Sequence, residues 1–140
     1  MKARHSVNVK MLVTANYAEV MSDTGRMNIL GIAFRIPATH FPITYPRLYL
    51  AMILEGNITN YAVEKRMQIR LADEDGSIIS EVVGNFVMPA GSPGIPPLKG
   101  MVCEFNGLVF GSPGDHLISI DVNEGELEAS TILQVYRHGT

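Results

Sequence analysis

In several short stretches of the chain, apolar and polar residues alternate one for one, and turn-forming residues separate the stretches. The clearest is Arg66–Asp73, where Met67, Ile69 and Leu71 share one side while Arg66, Gln68 and Arg70 share the other. Successive side chains of a strand point to opposite faces, so the pattern predicts a half-buried β-strand. Asp73-Glu74-Asp75-Gly76 turns it back into Ile78–Val87. Further on, His116–Val122 sets Ile118, Ile120 and Val122 on one face. Asn123-Glu124-Gly125 then makes a hairpin turn into Glu126–Arg137, whose inward residues are Thr131, Leu133 and Val135.

The first third reads as a hairpin. Ala15–Val20 and Arg26–Phe34 are strand-like runs around Ser22-Asp23-Thr24-Gly25, with the first strand starting at Val7 and the second, Met27–Ile36, ended by Pro37. Residues 38–46 carry Pro42 and Pro46 and predict an extended connector. Arg47–Leu54 is apolar on both alternating faces, and its shortness between Pro46 and Gly56-Asn57 favours a strand covered on both sides over a buried helix. Thr59–Lys65 is expected to form one helical turn. Residues 88–101 are half Gly and Pro and predict no regular element, after which Val102–Phe110 resumes as a strand. Gly-Ser-Pro-Gly occurs at 91–94 and at 111–114 in unlike surroundings, which reads as turn chemistry used twice and not as a repeat. The sum is all-β: a single antiparallel β-sandwich of about eight strands, immunoglobulin-like in general architecture.

Composition narrows the class. A chain of 140 residues predicts one domain over 1–140, large enough to bury a core without metals or disulfides. Apolar residues make up 46% and charged ones 18%, an ordinary globular balance slightly poor in charge. The net charge of −3 argues against a nucleic-acid partner, because phosphate binding needs a basic excess. Charge is uneven: residues 1–70 hold nine Lys/Arg against four Asp/Glu, residues 71–140 two against ten. The plain reading is that the halves pair within one fold; the sharper one is head-to-tail contact between copies. A single cysteine, Cys103, excludes an internal disulfide and a CxxC redox pair. With no signal-peptide pattern and no apolar run near 18 residues, the expectation is a bacterial-type cytoplasmic protein without a membrane partner.

Gly107-Leu108-Val109-Phe110, Pro113-Gly114, Leu117-Ile118-Ser119-Ile120-Asp121-Val122 and a Glu/Gly turn into a last strand ending Leu133-Gln134-Val135 resemble a family of small bacterial domains of unknown function. The hairpin Tyr17-Ala18-Glu19-Val20 and Met27-Asn28-Ile29-Leu30-Gly31 is similar to that family's start. The likeness covers nearly the whole chain and its motifs are structural. It implies a compact sandwich and brings no activity, substrate or catalytic residue. Similar proteins often have an aromatic where this chain has His116.

Candidate chemistry is sparse. Asp73-Glu74-Asp75-Gly76 suggests a calcium loop, but aligning Gly76 with that loop's glycine puts Leu71 and Val82 at the main ligand positions, so a plain turn is expected. Gly94–Gly100 has a Gly and a Lys near phosphate-loop spacing but no Gly-Lys-Ser/Thr, and its prolines remove N–H donors. His5, His40, His116 and His138 form no HxH or HExxH pair, so no metal and no cofactor are expected. Gly-x-Ser-x-Gly is absent, Asp115 and His116 point to opposite strand faces, and Cys103 lies in an apolar run beside Glu104, so no catalytic residue is assigned. Asn57-Ile58-Thr59 fits the glycosylation pattern but carries no weight without a secretory signal. The Pro/Gly loop remains: Ile95, Pro96, Pro97, Leu98, Lys99 and Met101 could meet a partner as apolar anchors on a stiff backbone, against the plainer reading of a crossover between sheets.

The expected function is therefore a non-enzymatic binding or scaffolding module acting through an unknown protein partner, and a weak homodimer is expected as well. The alternative is a small enzyme or ligand-binding sandwich whose site is assembled in space.

Overall fold

The computed structural model describes residues 7–22, 24–57 and 63–139. Nine strands follow in order: β1 (Asn8–Val20), β2 (Met27–Ile32), β3 (Arg35–Ala38), β4 (Ile43–Glu55), β5 (Glu64–Ala72), β6 (Ile78–Val87), β7 (Leu98–Phe110), β8 (Gly114–Val122) and β9 (Leu127–Arg137). They form a four-stranded sheet ordered β2-β1-β4-β7 and a five-stranded sheet ordered β3-β9-β8-β5-β6. One apolar core lies between them, with Leu48, Leu50, Met52 and Leu54 from β4 meeting Ile69, Leu71, Ile118, Ile120 and Leu133 from the other sheet.

The alternating runs fold as their pattern dictates. Met67, Ile69, Leu71, Ile118, Ile120, Val122, Leu133 and Val135 are all buried, and Ile120 sits between Ile69 and Ala129 in neighbouring strands. Burying each such side chain contributes about 1.5–3 kcal/mol. Asp73 Oδ1 accepts bonds from the Asp75 and Ser77 amides, which fixes the β5–β6 turn as a plain hairpin connection.

Several expectations need correction. The sheets are not wholly antiparallel: β3 runs parallel to β9, pairing Arg35 with Gln134 and Ala38 with Arg137. Pro37 does not end β2 but lies inside β3, which is an edge strand and so leaves a position where no N–H is needed. The second strand therefore stops at Ile32, and the chain crosses to the other sheet before Arg35. Residues 43–46 belong to β4 and not to a connector, pairing with β7 from Ile43 onward. Pro46 is tolerated because β1 pairs only with Tyr49–Glu55, so β4 has a single neighbour at that end. Of the expected helical turn over Thr59–Lys65, residues 59–62 lie outside the described residues, and Glu64 and Lys65 begin β5. The Pro/Gly loop is shorter than expected, since residues 98–101 are already the start of β7. Within it Pro93-Gly94 makes a tight turn closed by reciprocal bonds between Ser92 and Ile95, with Gly94 at φ 79° as a type II turn requires.

The four-stranded sheet curls. Its end strands β2 and β7 approach each other across the outer face: a Cβ placed on Gly100 of β7 would lie 3.0 Å from Met27 Cε and 3.7 Å from Val20 Cγ2. The β1–β2 hairpin thus arches over β4 and shapes the sheet into a half-barrel. Beneath it Ala18, Tyr49 and Ala51 form a second buried cluster, joined by Met11, Val13, Met27, Ile29 and Val102. This is why Arg47–Leu54 is apolar on both faces.

Part of the charge asymmetry is met inside one sheet. Arg70 of β5 pairs with Glu81 of β6 at 2.8 Å, and Arg66 pairs with Glu124 at 3.5 Å. Lys65, 1% exposed, gives Glu126 two bonds of 2.8 and 2.9 Å. In the five-stranded sheet β3 and β5 of the basic first half neighbour β9, β8 and β6 of the acidic second half, whereas β2, β1 and β4 of the other sheet all come from the first half.

Candidate functional site

The loop residues singled out from sequence do not converge on one surface. Ile95 is 67% exposed and Leu98 53% exposed, with Pro96 between them also at the surface. Pro97 is buried, its carbonyl accepting the Gly56 amide at 2.9 Å. Met101 stands opposite Met52 and packs on the main core, and Lys99 stands opposite Leu54. Alternation along β7 turns Leu98, Gly100 and Val102 to the outer face and Lys99 and Met101 to the inner one. A small cavity of about 250 Å³ beside the loop is lined by Asn57, Ser92, Pro93, Gly94, Ile95 and Pro96.

The titratable groups are scattered. His116 is buried, its Nδ1 3.0 Å from the Gly114 carbonyl and its ring edge-on to Phe110 at 5.0 Å. His40 and His138 are exposed, and His5 lies outside the described residues. Among the described residues no three His, Cys, Asp or Glu side chains cluster as metal ligands. Burial, then the charge of Glu104, pushes the Cys103 thiol up to about 11, so it is a poor nucleophile at neutral pH. The nearest approach to a polar network lies on the outer face of the half-barrel. Hydrogen bonds from Tyr49 and Asn106 hold Glu104 below the usual carboxylate range, and Asn28 and Tyr17 do the same for Glu19. Tyr17 and Tyr49 meet edge-on at 5.2 Å. These groups are satisfied by one another and enclose no reaction chamber.

Two features with a physical capacity to bind lie on the β1–β2 hairpin. The first is the edge of β2. Open sheet edges present unpaired N–H and C=O groups, and proteins guard them with charge or proline. β3 has Pro37, β6 has Glu81, and β7 has Lys99 and Glu104. β2 has no such guard: from Met27 to Phe34 there is no charged residue and no proline. Leu30 and Ile32 along it are 64% and 54% exposed, Phe34 just beyond its end is 50% exposed, and Tyr17 of β1 stands beside Leu30. Charge is sparse along the first two strands, and that neutrality is the signal in the sequence for an open edge; which strand lies at the end of the sheet follows from the sheet order.

The second is a cleft of about 590 Å³ under the hairpin tip, lined by Met11, Met27, Ile29, Ile53 and Leu98, with Gly100 as floor and Thr24, Gly25 and Arg26 at the mouth. On the far side of the molecule a shallow depression of about 340 Å³ carries the outward polar residues of β5, β8 and β9, among them Gln68, Arg70, Asp121 and Glu128. Its Arg70 is already paired to Glu81. Among the described residues no helix is long and apolar enough to cross a membrane.

One solved structure shares the fold at low sequence identity. The Pseudomonas fluorescens alkylpurine DNA glycosylase AlkC, solved with DNA containing an abasic site analog, is 14% identical over 96% of this chain at a TM-score of 0.56. A β-glucosidase from Listeria innocua, solved with glucose, is 11% identical over 92% of the chain at a TM-score of 0.49. The chain spans 31% of the first protein and 16% of the second, so each likeness is to one part of a larger molecule. No curated protein matches the chain. The model of one family, described as a family of unknown function, DUF6941, covers residues 10–136, and the chain belongs to that family.

Proposed function

We propose that this protein is a non-enzymatic binding module, an immunoglobulin-like β-sandwich in architecture, that takes an extended segment of a protein partner along β2. The observation that carries the reading is the unguarded edge: a neutral strand at the end of its sheet, with Leu30, Ile32 and Phe34 exposed beside it. An added strand would gain main-chain hydrogen bonds along β2, and its alternate side chains would cover the exposed apolar row. The Pro/Gly loop contributes Ile95 and Leu98 as a separate apolar pair, without Met101.

The test is peptide display selection on the purified chain, with counter-selection on Leu30→Lys/Ile32→Lys. Enrichment of extended peptides with alternating apolar residues is expected. They should bind the wild type, protect β2 amides from hydrogen exchange, and lose at least about tenfold in affinity on the variant. Peptides that bind both proteins equally, or no enrichment at all, overturn the reading. A ligand-binding sandwich is the second reading, and it draws on a different feature, the cleft under the hairpin.

A further inference from the structure

We infer that the cleft beneath the β1–β2 hairpin binds a small amphiphilic anion, with an apolar chain lying on Met11, Met27, Ile29 and Ile53 and an anionic head group held by Arg26. It deepens the ligand-binding reading and is independent of strand addition at β2.

The volume of about 590 Å³ lies within the range of roughly 300–1,000 Å³ typical of small-molecule sites. The walls are thioether and aliphatic side chains, which offer water no partners, so solvent there is readily displaced by a hydrocarbon chain. Two of the wall residues are methionines, whose unbranched, polarizable side chains adapt to an occupant. Met11, Met27 and Ile29 join the second cluster only as partly buried members, although they face inward under the hairpin. Their contacts are incomplete on the cleft side.

The floor is shaped by a missing side chain. A Cβ on Gly100 would come within 3.0 Å of Met27 Cε and 3.9 Å of the Gly25 carbonyl oxygen, so any larger residue there narrows the space. Among the described residues Arg26 is the one charged residue of the lining, and it joins no ion pair. Its backbone N–H donates to Thr24 Oγ1 at 3.2 Å, and the residue is exposed where it lines the cleft. Glu55, opposite Leu98 on the same face, has its charge offset by Lys10 at 3.8 Å. An apolar slot with a single cation at its entrance selects a chain with a negative end, and a guanidinium grips carboxylate or phosphate through two parallel bonds.

Calorimetric titration of the full chain tests the site, using dodecanoate, dodecyl phosphate and dodecyltrimethylammonium below their micelle concentrations. One saturable site for either anion is expected, with methyl-resonance shifts at Met11 and Met27; the ratio of the two affinities identifies the head group. Arg26→Gln should weaken the anions about tenfold. Gly100→Val should abolish binding, and Ile53→Trp fills the same space from β4 if the first variant does not fold. Non-saturable uptake, equal binding of the ammonium amphiphile, or anion affinity unchanged in Arg26→Gln overturns the proposal.

Discussion

Glu126→Ala should be among the most damaging single changes at a polar residue of this protein. Glu126 is 11% exposed and receives two bonds, 2.8 and 2.9 Å long, from an ammonium group that is itself 1% exposed. Truncating it leaves the Lys65 charge in a desolvated site, and breaking a buried pair in this way costs about 3–5 kcal/mol. Lys65 has a further interaction besides Glu126, which places the cost near the lower end. The substitution also frees Asn123, which donates to Glu126 at 3.1 Å while its own Oδ1 accepts the Arg66 amide at 2.8 Å. Against a total stability of about 5–15 kcal/mol for a domain, the loss is large.

Two companion variants separate charge from packing. Glu126→Gln keeps an acceptor for both donors and should cost less, about 1–2 kcal/mol. Lys65→Met combined with Glu126→Leu removes both charges, and buried ion pairs replaced by apolar residues are often neutral or stabilising. The double variant should therefore recover most of what Glu126→Ala loses. Urea unfolding followed by far-ultraviolet circular dichroism measures all three. A loss below about 0.5 kcal/mol for Glu126→Ala, or a double variant less stable than the single one, would refute the buried pair.

Ile120→Ala, at a site 1% exposed between the sheets, should cost about 2–5 kcal/mol in the same titration; less than about 0.5 kcal/mol would mean the face is misassigned. Because the Cys103 thiol is pushed up to about 11, iodoacetamide at pH 8 should alkylate the folded protein about 100-fold more slowly than the urea-unfolded chain, and equal rates would refute the burial. The folded state keeps a proton that the unfolded chain releases, so stability should fall as the pH rises from about 9 toward about 11. Sedimentation at about 100 µM should show a weak homodimer that persists in high salt, because an apolar edge is not screened as charge is. Leu30→Lys should be monomeric; a monomeric wild type, or dissociation only in high salt, counts against the edge.

Legibility in the sequence tracked how much of each residue's surroundings was local. β5, β8 and β9 were readable because each has one buried and one wet face, and the alternation alone reports it. The same alternation, continued backward from Leu71, Ile69 and Met67, lands on Lys65, so its inward position was there to be read. What hid it was residue type, since lysine goes inside only with a partner, and Glu126 lies 61 positions away. Pro37 and Pro46 misled for a related reason. Proline excludes a strand only where the N–H is needed, and which positions have a missing neighbour is a matter of sheet order. The parallel pairing of β3 with β9 joins Ile36 to Val135, and no local pattern encodes such a contact. Of the candidate partner residues, Met101 lies in β7 and not in the loop; once β7 starts at Leu98, parity turns it toward the core, where it is partly buried.

The β1–β2 hairpin carries both proposed binding features, and its two sets of apolar residues answer to different demands. Met27 and Ile29 face the second cluster, where they cover Tyr49 and Ala51 and keep the outer side of β4 dry. Their hydrophobicity is accounted for by folding. Gly31 is likewise fixed by the fold, since its φ is 68° and a Cβ there would lie 2.6 Å from Asn16 Nδ2. Leu30, Ile32 and Phe34 are half or more exposed and gain little from the folded monomer. If the fold alone shaped this hairpin, those three positions would be as free to carry lysine as any surface site. Substitution at such sites usually changes stability by less than about 0.5 kcal/mol. Leu30→Lys and Phe34→Lys should therefore melt with the wild type while losing partner binding and self-association. By contrast, Ile29→Lys should unfold the hairpin and lose the cleft with it. A Leu30→Lys variant that is strongly destabilised would show that the exposed row belongs to the fold after all, and the edge would then no longer stand out as a binding surface.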